Sequence, residues 1–283
     1  MTGPWTALVA RVPVRAEVHA GSRCWIYGTG GRRILFLHGL RGDHHGLEPI
    51  VSHLHGVQVV VPDLPGFGAS APLVAGRHDV AGYAGWARTV LSEVDADVLA
   101  GHSFGSIIAA AAAHGTELSA LVLVNPIATS ALAGTRRSLT RLTVGYHRLA
   151  AALPERAGTA LLRSPLITRA ATIAMVTTGD RALRRWIHAE HDRYFAGFAD
   201  RRVLLEAFHA SIEHDVAEFA PDVDVRTLLV AAARDDIAPL PAQRALLARF
   251  TDAQLTVVPG TGHLAHYEAP AAVAEAITRF LCG

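Results

Sequence analysis

Val98–Gly105 reads V-L-A-G-H-S-F-G, and an alanine-rich stretch, Ile107–His114, follows almost at once. A short apolar run ends in Gly101-His102-Ser103-Phe104-Gly105 and gives way to helical sequence, so G-x-S-x-G stands between a strand and a helix. In that context the pentapeptide forms a nucleophile elbow. The serine sits on a tight, strained turn and its hydroxyl projects past the end of the sheet. Gly101 and Gly105 fall where a side chain would collide with the turning backbone. The helix that starts after Ser103 aims free N–H groups and a positive dipole end at the hydroxyl. Elsewhere the same five residues mark only a glycine-flanked turn; the flanking strand and helix favour a catalytic one.

Upstream, Val14–His19 and Cys24–Tyr27 alternate well enough for an antiparallel hairpin turning at Gly21-Ser22. Arg33–Leu37 is a continuous apolar strand leading into His38-Gly39-Leu40-Arg41-Gly42. Pro49–Leu54 reads as a short helix with proline at its first position, and Val57–Val61 as a buried strand ending at Pro62. Asp63-Leu64-Pro65-Gly66-Phe67-Gly68 is a turn rich in breakers. Val80–Val94 carries apolar residues at helical spacing, and Leu121–Val124 is a further strand ending at Asn125-Pro126. Strands that alternate with helices and lack polar alternation describe a parallel sheet covered on both faces.

Past Pro126 no convincing strand recurs until about Asp222. Leu139, Leu142, Tyr146, Leu149 and Leu153 share one helix face that Pro154 stops. Ser164-Pro165 predicts an N-cap with proline at the first position of a helix closed by Gly179, and Asp180 and Asp200 predict the caps of two more. This block of about four helices, residues 127–221, is expected to cap the carboxyl edge of a core formed by residues 1–126 and 222–283. Alternation then resumes. Thr227–Ala232 is a strand leading into Ala233-Arg234-Asp235-Asp236-Ile237-Ala238-Pro239, and Pro241–Phe250 is helical. Leu255–Val258 is the last strand, Pro259-Gly260-Thr261-Gly262-His263 follows it, and Pro270–Leu281 closes the chain as an amphipathic helix.

Composition narrows the function classes. At 283 residues, with 51% hydrophobic and 18% charged residues, the chain can bury a thick core without staples. A net charge of +1 gives no electrostatic case for nucleic acid, although all 26 basic residues are arginine. Two cysteines, Cys24 and Cys282, make no disulfide framework. Met1–Pro13 lacks a basic segment followed by an apolar core, so no secretory signal is expected. The longest apolar run, Ile107–Ala113, is far short of the roughly 20 residues that span a bilayer. No membrane span and a cytoplasmic location are the expectation; the oligomeric state stays open.

Three polar residues, Ser103, an aspartate at 235 or 236, and His263, thus lie just past the carboxyl ends of three separate strands. That is the edge where open α/β sheets place their sites. With H-G at 38–39, D-L-P-G-F-G at 63–68, G-H-S-F-G at 101–105, D-D-I-A-P at 235–239 and G-H at 262–263, the chain resembles the α/β-hydrolase family over nearly its full length. The resemblance implies an α/β class fold with a mostly parallel eight-stranded sheet, helices on both faces and an inserted helical cap. It also implies roles: Ser103 as nucleophile, His263 as general base, and an aspartate that holds the imidazole. The family pattern G-x-x-D-x-[IV]-x-P selects Asp235, with Ile237 and Pro239 at the right offsets. Ala232 stands where that pattern has glycine, and Ser106 where a second elbow glycine is frequent. The backbone N–H groups of Leu40 and Phe104 are the implied oxyanion donors.

Serine at the elbow disfavours relatives that use aspartate there, namely epoxide hydrolases and haloalkane dehalogenases. The expected activity is hydrolysis of a carboxylic ester of a small to medium apolar substrate through an acyl-enzyme, with no cofactor and no metal. Carbon–carbon hydrolysis of a vinylogous diketone, thioester hydrolysis, acyl transfer and, more remotely, perhydrolysis fit the same triad, and a ligand receptor that has lost turnover is the rival from another class. Among 16 histidines, His44-His45 and the His188/His191 pair need no metal, and His188-Ala189-Glu190-His191 lacks the H-E-x-x-H spacing. His38 is expected to hold the loop beside the oxyanion site and His266 to be structural. Arg184, Arg185, Arg201 and Arg202 read as a solvated face, with the alternative that one binds a substrate carboxylate.

Overall fold

Apolar residues at consecutive positions in a strand face both ways, so such strands are stable only when both sides are covered. In the computed structural model, which describes residues 14–132, 137–195 and 197–283, eight strands form a single sheet. β1 (Val14–His19) and β2 (Ser22–Tyr27) make an antiparallel hairpin, and β2 runs antiparallel to β4 (Val57–Pro62). The rest of the sheet is parallel: β4, β3 (Arg32–Leu37), β5 (Val98–His102), β6 (Ala120–Val124), β7 (Thr227–Ala232) and β8 (Ala253–Val258), in that spatial order. The register pairs Leu37 with Gly101, His102 with Val124 and Ala232 with Val258.

Alternate side chains fill two cores. Leu35, Leu37, Leu99, Leu121 and Leu123 pack on one face, beneath α2 (Val80–Glu93) and α3 (Phe104–Ala113). Ile34, Phe36, Val98, Val122 and Val124 pack on the other, beneath α1 (Glu48–Val51) and the closing helix Pro270–Cys282. Each fully buried Val, Leu or Phe contributes about 1.5–3 kcal/mol relative to exposure, so covering both faces is the main stabilising term. α3 is buried at every position, and its five consecutive alanines (Ala109–Ala113) let it lie close to α2. Chain direction reverses between β3 and β5, since β4 lies on one side of β3 and β5 on the other. The crevice past their carboxyl ends is the topological switch point, where α/β sheets bind ligands.

Between β6 and β7 lie five α-helices: α4 (Arg137–Ala152), α5 (Glu155–Leu162), α6 (Pro165–Met175), α7 (Arg181–Tyr194) and α8 (Arg201–Glu213). Asp180 and Asp200 cap α7 and α8 through their side chains, as their spacing predicts. The block is seated on the core by a bridge between Phe67 and Phe198 and by the Ala199 N–H, which donates to the Gly66 carbonyl at 2.8 Å. After β7 come α9 (Leu240–Leu247), the short α10 (Ala265–Glu268) and α11 (Pro270–Cys282). Among the described residues no helix is long and apolar enough to cross a membrane.

Local expectations fail where tertiary contacts decide. The hairpin turns at Ala20-Gly21, both with positive φ (45° and 77°), and Ser22 pairs with His19 instead of turning. α5 is an additional helix. The Ser164 side chain makes no cap bond, and α6 ends at Met175 rather than Gly179 because Thr177 and Thr178 turn away to donate their N–H groups to Glu268. α4 does not bury its leucine face: Leu142 is 70% and Leu149 54% exposed. His147, stacked on Phe208 at 3.5 Å, and Ala150, in close approach to Gly158, are its inward residues instead. The side chain of Leu139 and the segment Met1–Pro13 lie outside the described residues.

Candidate active site

Ser103 has φ 53° and ψ −118°, a left-handed conformation in a non-glycine residue, and this is the strained turn the motif requires. Its N–H donates to the Val124 carbonyl at 3.1 Å, and its own carbonyl accepts from the Ser106 N–H at 2.8 Å and from the Ser106 hydroxyl. A Cβ on Gly101 would sit 2.2 Å from the Gly105 carbonyl oxygen, and one on Gly105 would sit 2.4 Å from that of Leu37. The elbow therefore packs directly on the end of β3, and both glycines are demanded by close approach.

Parallel β7 and β8 carry the other two groups to the same edge. Their loops are joined by the Arg234 N–H, which donates to the Thr261 carbonyl at 2.8 Å. The Ser103 hydroxyl lies 2.8 Å from His263 Nε2, and His263 Nδ1 lies 2.8 Å from Asp235 Oδ2. The structure thus joins Ser103, His263 and Asp235 in one hydrogen-bonded line; Asp236 is exposed and turned away from it. An ionised carboxylate can only accept, so Nδ1 carries the proton and Nε2 presents its lone pair to the serine hydroxyl.

Asp235 is almost fully buried. Burial alone would raise its carboxyl, but several interactions outweigh it: the charge and hydrogen bond of His263, the Ala238 N–H at 3.0 Å and the Asn125 amide at 2.9 Å. Together they hold the carboxyl well below the usual carboxylate range, and the Ile237 N–H at 2.8 Å completes the cradle. Asn125, just past β6, is a contact that sequence reasoning missed. Its signal is a polar residue at the carboxyl end of the strand beside β7.

Phe104 opens α3, so its N–H has no acceptor inside the helix. Gly39 lies against the elbow, since a Cβ there would be 3.3 Å from Ser103 Cβ, and Leu40 follows it. His38 holds this loop. It accepts the Leu64 N–H on Nε2 at 2.9 Å, so its Nδ1 donates to the Gly39 carbonyl at 2.8 Å, and burial keeps the ring neutral by pushing its pKa down. His102 and His266 lie with ring centroids 4.0 Å apart, both buried. Burial and the neighbouring His263 push His102 down to about 3, so no second imidazolium competes beside the site.

The arginines expected on a solvated face do other work. Arg201 donates to the carbonyls of Ala150 and Leu153 at 3.1 and 2.7 Å, capping the carboxyl end of α4, and Arg184 donates to the Thr178 carbonyl at 2.7 Å. Among the described residues, Asp43, His44 and His45 have ligand atoms within 4.8 Å of one another. Their Nδ1 atoms are already spent, His44 on Asp63 at 2.8 Å and His45 on Asp43 at 3.0 Å. The two rings instead continue a stack from Trp25 to Tyr194, joining the hairpin to α7.

The sequence profile of the alpha/beta hydrolase family matches residues 34–276. The chain belongs to the α/β-hydrolase family. It is 31% identical over 97 residues to a Caulobacter sp. protein named "Putative carbamate hydrolase RutD"; the matched stretch spans 34% of this chain and only 36% of that relative. Among solved structures, a thermophilic esterase from Thermogutta terrifontis superposes with a TM-score of 0.73 at 20% identity, covering 95% of this chain and 98% of that one. The enol-lactonase from Burkholderia xenovorans superposes with a TM-score of 0.70 at 19% identity, covering 95% of this chain and all of that one. At such identities the likeness is one of fold.

Proposed function

We propose that this chain is a serine hydrolase that cleaves a carboxylic ester of a small to medium apolar substrate through an acyl-enzyme. The observation that carries the reading is the pair of 2.8 Å contacts linking the Ser103 hydroxyl, the His263 imidazole and the Asp235 carboxylate. His263 Nε2 takes the hydroxyl proton as Ser103 Oγ attacks the carbonyl carbon, and the buried Asp235 stabilises the imidazolium that forms. The carbonyl oxygen, now negative, is met by the N–H groups of Leu40 and Phe104 and by the positive end of α3, each fixed donor lowering the barrier by about 3 kcal/mol. The imidazolium returns its proton to the departing alkoxide, and the ester C–O bond breaks. Water then repeats the cycle on the acyl-serine, releasing the acid and restoring the hydroxyl.

In this reading residues 127–221 form a cap over the site and residues 1–126 with 222–283 form the catalytic core. The esterase and enol-lactonase among the structural neighbours support carbonyl chemistry on this frame. The test is pre-steady-state release of p-nitrophenol from a short-chain p-nitrophenyl ester. A burst stoichiometric with enzyme, lost in Ser103→Ala, supports the reading. Steady release that survives Ser103→Ala excludes it.

A further inference from the structure

Glu268 ends the short helix that follows His263, and its carboxylate ties two distant stretches of chain together. Three donors come from the loop between α6 and α7: the Thr177 N–H at 2.6 Å and the Thr178 N–H at 2.8 Å, both to Oε1, and the Thr177 hydroxyl to Oε2. The fourth is the Gly262 N–H, 3.1 Å from Oε2, on the residue directly before His263. An ionised carboxylate has about four lone-pair sites, and here each finds a donor, three from one side of the seam and one from the other. The seam is tight. A Cβ on Gly262 would lie 2.5 Å from Thr177 Cγ2, so the histidine loop touches the threonine directly. A small apolar cluster runs alongside, with Val176, Trp186 and Ile187 packed on Leu264 and Tyr267.

We propose that Glu268 is a positioning residue that makes the placement of His263 depend on the seating of the helical insertion. The proposal rests on the hydrolase reading above. When the 177–178 loop is docked, the carboxylate is fixed from that side and holds the Gly262 N–H, and with it the start of the histidine loop. When the loop lifts, the carboxylate keeps one of its four partners and the backbone before His263 is released. Proton transfer needs the imidazole within hydrogen-bond reach of Ser103, and a displacement of about 1 Å can cost on the order of 100-fold in rate. The insertion then governs base alignment as well as access.

The experiment is a double-mutant cycle on Glu268→Gln and Thr177→Val, with kcat and KM measured on a p-nitrophenyl ester. Hydrogen exchange is followed in parallel at amides 177–178 and 262–264. Gln keeps the shape but turns one acceptor oxygen into a donor, and Val removes only the threonine hydroxyl. We expect Glu268→Gln to lower kcat at least tenfold with KM within threefold. Thr177→Val is expected to lower kcat two- to fivefold, and the double variant to match Glu268→Gln alone. Exchange should rise at both segments in either single variant. The proposal is overturned if kcat stays within twofold in Glu268→Gln, if the two effects multiply, or if Thr177→Val loosens residues 177–178 while leaving 262–264 unchanged. Should Glu268→Gln not fold, Thr177→Val with its exchange pattern decides. Exchange also needs no turnover, so a wild type inactive on esters would sink the hydrolase reading while the coupling is still tested.

Discussion

Asp235 is held by four donors before any substrate arrives: the Ile237 and Ala238 N–H groups on one oxygen, and His263 and the Asn125 amide on the other. Its task is to keep one imidazole tautomer and to stabilise the cation, which a neutral amide cannot do. Asp235→Asn is therefore expected to lower kcat by roughly 10⁴-fold, while Asp236→Asn stays within threefold. Equal losses in steady-state assays of the two variants would reject the assignment. Asn125→Ala removes one charge-assisted donor and is expected to cost about tenfold in kcat, well short of Asp235→Asn. The aspartate was legible only as one of two neighbours until a pattern was laid over them. The Asn125 partner was not legible at all, because nothing along the chain says that residues 110 positions apart meet.

The elbow joins β5 to α3, and its geometry is set by backbone contact rather than by side-chain chemistry. Gly105→Ala drives a methyl group against the Leu37 carbonyl, so we expect a stability loss of about 1–3 kcal/mol by urea unfolding, with activity lost as β3 and the elbow separate. Unchanged stability and turnover would show that the two elements are looser than described. The parallel strands were readable because apolar runs without alternation have few other solutions. The Asp180 and Asp200 caps were readable because an N-cap is a local bond. The end of α6 and the buried face of α4 were not. Glu268, some 90 residues downstream, fixes the first, and the second follows from where Ala150 and Gly158 let two helices meet.

Across the whole molecule, the fold keeps several imidazoles out of water. Burial pushes His102 down to about 3 and His147 and His191 to about 4, and lowers His38 and His266 as well, against an ordinary value of 6.5. The unfolded chain takes up these protons near pH 6.5 and the folded chain does not. Stability therefore falls as pH drops from 6.5 towards 3–4, each group adding a slope of about 1.4 kcal/mol per pH unit. Asp63 acts in the same direction below pH 4. Burial opposes its ionisation, but the hydrogen bond and charge of His44 prevail and hold it at about 2. The urea midpoint should decline steadily from pH 6.5 to pH 4, whereas a constant midpoint over that range would mean these rings are hydrated.

The site itself forms because the sheet reverses direction between β3 and β5, which leaves a crevice where Ser103, His263 and the Leu40 loop converge. The most direct test of that convergence is intact-protein mass spectrometry after brief mixing with a short-chain p-nitrophenyl ester, followed by peptide mapping. The account predicts a single acyl adduct on the peptide carrying Ser103, absent in Ser103→Ala and formed far more slowly in His263→Ala. An adduct on another residue, or one formed at Ser103 equally fast without the His263 imidazole, would contradict it.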